Sequence, residues 1–514
     1  MRITKIEITN YKAFYGSHTI SLDQDGKNLM VYGENGSGKS SLFIALQKFF
    51  QSSVEQVDID ENIFVSSPQK NTASIKITLK ESPQSSKSTD YELRITQNRL
   101  ISGDIVTIAE ANKIKGFFDY RSLLKTHLNH EKQVNLFNIL IEEILYHAIN
   151  RFTNQELGRE WKIIYKDTHT KRQTEATREA IKGYINKFND GVKEKLQDIE
   201  SDTNKFLEYF FGNIKVSLHF LGIQYVGRRN LKNNDVELRI EYCDTHIPKH
   251  QFFLNEARLS ALAISLYLAS IRVNPTKGEL KVLVLDDLLI GLDMSNRLPL
   301  LKILKENFVE VERSSQFQVI MTTYDKIWYE LVRNYFNEDN WKYVEIYARK
   351  LDNEDFEIPI VHSTNGYLEK AKHYLDERDY KASAVYIRTE FERLVKKICE
   401  ERYLSVLYKK NSKDVNTDEY WRAITEQTNI SIDLIKEIEI HRGTVMNPFS
   451  HDDLEKPEFR KELEDTIASI VKLTETIPAF KKTVTIQKLG KEIDKLKKEL
   501  DTKEQTIRNL KSNR

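Results

Sequence analysis

Cysteine is nearly missing from this chain: Cys243 and Cys399 are the only two in 514 residues, far apart and in unrelated contexts. Two such thiols imply neither a disulfide framework nor a thiolate metal site. The twelve histidines show no metal-ligand spacing. Long apolar runs are missing too. Ala261–Ile271 and Val282–Leu285 are too short to span a bilayer, and Met1-Arg2-Ile3-Thr4-Lys5-Ile6-Glu7-Ile8 alternates like a strand without the apolar core of a signal peptide. These absences predict a cytoplasmic protein with no membrane contact. An excess of one charge is also lacking. Lys+Arg 78 against Asp+Glu 77 leaves a net +1, so any nucleic-acid contact would need a local basic patch. The length exceeds one ordinary core and predicts two or three domains.

What is present is a complete G-x-x-x-x-G-K-[ST] loop, Gly33-Glu34-Asn35-Gly36-Ser37-Gly38-Lys39-Ser40, followed by Ser41 and preceded by the apolar run Leu29-Met30-Val31-Tyr32. Glycines at 33, 36 and 38 are expected to take positive φ, so that successive backbone N–H groups turn inward around a phosphate. The helix opening at Lys39 adds its positive N-terminal end. Lys39 is then the cation for the β- and γ-phosphates and Ser40 the hydroxyl ligand to Mg²⁺, with Asn35, Ser37 and Ser41 counted among the nucleotide contacts. This loop predicts binding of ATP or GTP. Much later, Val282-Leu283-Val284-Leu285-Asp286-Asp287 reads as a buried strand ending in two carboxylates. That arrangement suits Asp286 as a Mg²⁺ ligand and Asp287 as the group that orients or deprotonates the attacking water. By itself the pattern is weak, since apolar strands ending in Asp are common.

Residues 1–107 read as a β-rich lobe, with strands at Ile3–Ile8, Gly16–Leu22, Leu29–Tyr32, Ala73–Leu79 and Tyr91–Thr96 and a helix at Ser41–Phe50. Residues 108–212 read as a helical insert or short arm. Asn135–Phe152 is apolar at helical spacing, and Ile181, Ile185, Phe188, Val192, Leu196 and Ile199 form a second stripe. Residues 213–360 return to strands at Ile214–Tyr225 and Val236–Tyr242, joined through a basic hairpin at Gly227-Arg228-Arg229-Asn230. The helix Ala257–Ile271 and the strands Lys281–Leu285 and Phe317–Thr322 follow.

Three further stretches must be taken with the carboxylate pair: Phe252-Phe253-Leu254-Asn255-Glu256-Ala257-Arg258 upstream, Gly291-Leu292-Asp293-Met294-Ser295-Asn296-Arg297 just downstream, and Gln318-Val319-Ile320-Met321-Thr322-Thr323-Tyr324-Asp325 beyond. In order and spacing, residues 1–350 resemble the ABC-type ATPase head of the SMC/RecF class. The resemblance implies an α/β, two-lobed P-loop NTPase head with a helical insert. It also implies ATP and Mg²⁺ as ligands and a head dimer whose two sites are each shared between chains. Asn255, Glu256 and Arg258 stand where the family has a Leu-Ser-Gly-Gly-Gln/Glu signature that binds the other protomer's γ-phosphate. Asn255 can cap a helix and donate an amide hydrogen there, while the missing glycines and the charge of Glu256 weaken that half of the site. Asp293 takes the D-loop place. Tyr324 takes the place of the usual switch His and cannot carry a positive charge. Asp287 stands where many members have Glu. Slow, regulated hydrolysis follows from these changes. The plainer alternatives are structural: Asn255 as a simple helix cap, Tyr324 as a strand-end aromatic, Asp293 as a turn residue.

After Ser363-Thr364-Asn365-Gly366, which reads as a linker, residues 361–480 give amphipathic helices and predict a helical bundle. The polar stretch His441–Asp453 in it faintly resembles HEPN ribonucleases through Arg442 and His451; the alternative is a helix end broken at Pro448. In residues 481–514, Ile486, Leu489, Ile493, Leu496, Leu500, Ile507 and Leu510 recur at three- and four-residue steps, predicting a terminal coiled coil. This layout resembles ATPase subunits of bacterial anti-phage systems, the Septu type first and PARIS- or retron-associated ATPases next. That likeness implies a sensor or regulator working with a nuclease partner, HNH type favoured, as a homodimer or higher oligomer. A RecF- or RecN-like repair ATPase and an ATPase-controlled HEPN-type ribonuclease are the alternatives. DNA contact is predicted on Arg159, Lys162, Lys166, Lys171 and Arg172, with Arg228 and Arg229 beside them; a solvated charged face is the alternative.

Overall fold

Strands with no polar face need cover on both sides, and the most apolar strands of the chain meet that need by lining up in one sheet. A computed structural model describes residues 1–81, 85, 87–100, 105–119, 135–170, 174–227, 230–248, 253–274, 278–288, 292–312, 314–336, 338–350, 356–363, 367–406, 416–446 and 460–476. It divides into two units, Met1–Thr364 and Asn365–Arg514. In chain order the first unit holds β1 (Arg2–Thr9), β2 (Ser17–Ser21), β3 (Asn28–Gly33), α1 (Lys39–Gln51), β4 (Ser74–Lys80), β5 (Ser88–Arg94), α2 (Ile105–Lys113) and β6 (Phe117–Asp119). It continues with α3 (Leu157–Thr170), α4 (Glu175–Phe210), β7 (Ile214–His219), β8 (Gln224–Gly227), β9 (Asn230–Lys232), β10 (Glu237–Tyr242), β11 (Thr245–Ile247) and α5 (Glu256–Val273). Last come β12 (Val282–Asp286), α6 (Met294–Leu304), β13 (Gln318–Thr323), α7 (Lys326–Tyr335), β14 (Trp341–Lys350) and β15 (Glu357–Ser363).

The central sheet has the order β15-β14-β3-β13-β12-β6, parallel except for the edge strand β15. Alternation along each strand divides the core in two. Met30, Leu283, Leu285, Val319 and Met321 face one cluster, while Leu29, Val31, Val282, Val284 and Ile320 face the other. On the second face lie α1 and the antiparallel sheet β2-β1-β4-β5; on the first lie α4, α5 and the three-stranded sheet β11-β10-β7. Helix α5 is buried at every position from Leu259 to Ile271, which explains its nearly unbroken apolar sequence. Helix α4 starts at Thr174, whose side chain accepts from the Thr177 N–H, and buries the predicted stripe from Ile181 to Ile199.

The structure departs from the sequence reading in four places. Asn135–Phe152 is not one helix: a π-helical segment, Asn138–Ile144, gives way to a short strand pair, Ile149–Asn150 with Gln155–Glu156. Ile214–Tyr225 is two strands, because the chain turns at Gly222 (φ +95°), so β7 pairs with β10 and β8 with β9. Arg228 and Arg229 lie outside the described residues. Phe117–Asp119, assigned to the insert, is the sixth strand of the central sheet. Gly33 does not take positive φ, since it ends strand β3; only Gly36 (φ +87°) and Gly38 (φ +101°) do.

In the second unit, helices Tyr367–Asp376, Tyr380–Arg402, Thr417–Gln427, Ile432–His441 and Arg460–Thr476 pack around Ile387, Phe391, Val395, Ile424, Ile438 and Ile470. The segment 481–514, read as a coiled coil, lies outside the described residues, as does His451. Arg442 is engaged by Asp418 and stands 5.5 Å over the Phe391 ring, a structural tie between helices.

Candidate nucleotide site

The phosphate loop turns because two glycines can. Gly36 and Gly38 adopt left-handed backbone, Gly38 ends the loop as the N-cap of α1, and Glu34, Asn35 and Gly36 are exposed. Gly33 is needed for a different reason. A Cβ there would lie 2.3 Å from Ser37 Oγ and 2.7 Å from the Ile346 carbonyl oxygen, so no side chain fits between the loop and β14. Ser37 Oγ is buried in this cradle without a hydrogen-bond partner. Lys39 Nζ donates to the Glu34 carbonyl at 3.0 Å, which folds the ammonium back over the loop. Burial pulls the Lys39 pKa below its usual value, opposed by Asp287 and Asp286.

Sheet order brings the remote carboxylates to this loop. Strands β3 and β12 flank β13, and Ser40 Oγ donates to Asp286 Oδ2 at 3.3 Å across 246 positions of sequence. The other oxygen, Asp286 Oδ1, accepts from the Thr322 hydroxyl, since Thr322 stands opposite Asp286 in the β12–β13 register. On the other side of β12, Asp119 is the register partner of Asp286. Burial raises the Asp286 pKa and Asp119 adds to the rise, while Thr322, Ser40 and Lys39 oppose it. Asp287 follows in left-handed backbone (φ +49°). Its Oδ1 accepts from the Tyr324 N–H at 3.0 Å. Burial pushes its pKa up to about 6, Lys39 opposes, and Asp286 adds to the rise.

These residues fit Mg²⁺. A hydroxyl and a carboxylate oxygen already in contact can share the coordination sphere of a hard cation. No group of three or more His, Cys, Asp or Glu side chains able to hold a metal occurs among the described residues, so the remaining ligands would be phosphate oxygens and water.

The other sequence-derived candidates fall around this centre. Asn255 N-caps α5, its Oδ1 accepting from the Arg258 N–H at 3.0 Å, which leaves its amide hydrogens free to donate. Glu256 is exposed in the first turn. The Arg258 guanidinium lies 5.6 Å from the Phe211 ring centroid and 5.2 Å from that of Tyr242. Asp293 is exposed at the N-cap of α6 and makes no capping bond with its side chain. Tyr324 is 43% exposed. Ser41 is half-buried in the first turn of α1. Helix α1 belongs to one face of the central sheet and α5 to the other, so the helix starts at Lys39 and Glu256 are carried by opposite layers.

Sequence reasoning missed Asp119 and Thr322. Phe117-Phe118-Asp119 repeats in miniature the signal read at Asp286, an apolar strand ending in a carboxylate. Thr322 carried no signal beyond its place in a strand. Of the predicted basic face, Arg159 pairs with Glu156 at 2.8 Å and Lys162 stands 4.8 Å over the Tyr146 ring; Lys171 and Arg172 lie outside the described residues. No helix among the described residues is long and apolar enough to cross a membrane.

A family model described as the RecF/RecN/SMC N terminal domain matches residues 2–338. No curated protein matches the chain. Among solved structures the chain is similar to an SMC head bound to the C-winged-helix domain of ScpA. The identity is 12%, the TM-score 0.40, and the match covers 71% of this chain and 98% of that one. It is also similar to a *Pyrococcus furiosus* Smc head with an extended coiled coil bound to the C-terminal domain of ScpA (15%, 0.44, 74% and 99%). A third is the SMC head domain from *Thermotoga maritima* (14%, 0.33, 71% and 100%).

Proposed function

Since the chain belongs to the RecF/RecN/SMC N-terminal domain family, with its two-lobed ABC-type ATPase head, we propose that it binds and slowly hydrolyses ATP. Head dimerisation on ATP would make it a sensor or regulator. The observation that carries this reading is the Ser40–Asp286 contact, which sets the phosphate loop against the buried Asp286 carboxylate and the half-buried Asp287 beside it. Lys39 and the N–H groups around Gly36 and Gly38 hold the phosphates. Ser40 and Asp286 would hold Mg²⁺, which when bound neutralises developing phosphate charge. Asp287, whose pKa burial pushes up to about 6, would accept a proton from the water that attacks the γ-phosphorus as the bond to the β-phosphate oxygen breaks.

Because α1 and α5 lie on opposite layers, the Asn255–Arg258 helix start is read as serving a second copy's nucleotide. Among the described residues the Asn255 amide makes no hydrogen bond and can donate to that phosphate, and the Asp293 carboxylate makes no capping bond to its own helix. The layout of head, short insert and helical unit supports an anti-phage role with a partner nuclease, HNH type favoured, and contact with DNA through the α3 face.

The test is mass measurement by light scattering with ATP and Mg²⁺. Asp287→Asn is expected to double in mass on ATP, and Lys39→Ala to stay at the mass of the nucleotide-free chain and bind no ATP. An Asp287→Asn chain no heavier with ATP than without it would sink the shared-site reading. Phage plating on cells carrying the chain with and without its neighbouring gene tests the defence role: protection is expected to need both.

A further inference from the structure

Arg297 is charged, 8% exposed, and short of partners. It sits in the first turns of α6, directly after the Asp293–Asn296 turn, and only one of its nitrogens is matched: Nη2 lies 2.6 Å from Asp325 Oδ2. Nε and Nη1 are buried with no hydrogen-bond partner among the described residues. A guanidinium held this way is costly, because burial strips its water and a single carboxylate returns only part of what is lost. Stability alone is a poor reason to keep it.

Asp325 ties the pair to the site. Its Oδ1 accepts from the Trp328 N–H at 3.0 Å and so caps α7, and its own N–H donates to Thr323 Oγ1 at 3.0 Å. Burial would raise its pKa, but the Trp328 N–H and Arg297 outweigh this and hold it below the usual range, so the carboxylate stays charged. The residue before it is Tyr324, whose N–H holds Asp287 Oδ1 at 3.0 Å. A short path of bonds therefore runs from α6 through Arg297, Asp325 and the Tyr324 backbone to the Asp287 carboxylate. At the far end of that path α6 presents Asp293, Met294 (59% exposed) and Leu298 (51% exposed) to solvent.

We infer that Arg297 is a positioning residue for ATP hydrolysis: its ion pair with Asp325 fixes the β13–α7 turn so that Tyr324 presents its N–H to Asp287. Displacement of α6, as when a second copy docks on its exposed end, is felt at Asp287 through this pair. The inference rests on the proposed ATPase reading and deepens it.

The experiment uses the full chain carrying Arg297→Met and Asp325→Asn together. Removing the Asp325 charge alone leaves the buried guanidinium without its one carboxylate, whereas replacing both is often neutral for folding, and Asn keeps the cap of α7. The double variant is expected to melt close to the parent and to keep its KM for ATP. Its kcat is expected to fall about 100-fold, the loss that a misplaced catalytic group brings. Hydrogen exchange is expected to speed up at the Tyr324 amide. A double variant that turns over like the parent, or one that slows while the Tyr324 amide stays protected, overturns the inference. So does one that melts far below the parent, because the pair is then a structural lock. A parent chain that hydrolyses no ATP overturns the ATPase reading first, and the two failures are told apart by the parent alone.

Discussion

Replacing Thr322 with Val removes one hydroxyl from the centre of the first unit and almost nothing else. Thr322 is 3% exposed, and its hydroxyl donates to Asp286 Oδ1 while Ser40 donates to Oδ2. Valine fills nearly the same volume, so the perturbation is the loss of one buried, charge-assisted hydrogen bond, worth about 1.5–3 kcal/mol. Losing that donor leaves the Asp286 pKa, already raised by burial, higher still. The sign follows from linkage. A carboxyl whose folded pKa lies above its unfolded value stabilises the fold at low pH and loses that contribution as pH rises through the folded value. Raising the folded value further increases the loss on the alkaline side only. Thr322→Val is therefore expected to melt a few degrees below the parent at pH 8 and nearly with it at pH 4, as read by thermal unfolding across a pH series. Below the raised pKa the Mg²⁺ concentration needed for half-maximal ATP binding is expected to increase, because the proton then competes with the cation for the carboxylate. Equal melting differences at both pH values, with an unchanged Mg²⁺ requirement, would refute the placement of Thr322 as the support of an ionised Asp286.

Two further predictions concern the loop and the acid. Gly33→Ala puts a Cβ 2.3 Å from Ser37 Oγ and 2.7 Å from the Ile346 carbonyl, so either the loop or β14 must shift; ATP binding measured with a fluorescent analogue is expected to weaken at least about 100-fold. Unchanged affinity would show that the cradle is looser than drawn. With Asp287 as the base, log(kcat/KM) should rise with pH at unit slope and level off above about 6, where its carboxyl ionises. An inflection near 4 would mean that an unburied carboxylate carries the step.

Apolar runs are legible because a strand buried on both faces has no choice of composition, and β3, β12 and β13 could be placed to within a residue or two. Glycine was harder to interpret. The loop's need for three glycines was read as one need, positive φ, whereas Gly33 is required by the closeness of Ser37 and Ile346, a contact made only when β14 joins the sheet beside β3. Register was harder still. Nothing local marks Thr322 or Asp119, because each matters only as the residue opposite Asp286 on a neighbouring strand, and parallel pairing between distant segments is not written in either segment alone.

Arg297 shows the same limit from the other side. In sequence it is one more cation after the Asp293 turn, and a charged residue on a short helix is ordinarily solvated. Its burial follows from where α6 lies, and its partner Asp325 is already in use as a helix cap. A residue that caps one helix and pairs with another cannot move with only one of them. The β13–α7 turn therefore has two supports, and Asp287, held by that turn through the Tyr324 N–H, takes up a position decided by α6 as well as by its own strand. If Asp287 is the base of the proposed hydrolysis, it is in register only when both elements are, and slow, regulated turnover would take that physical form in this fold.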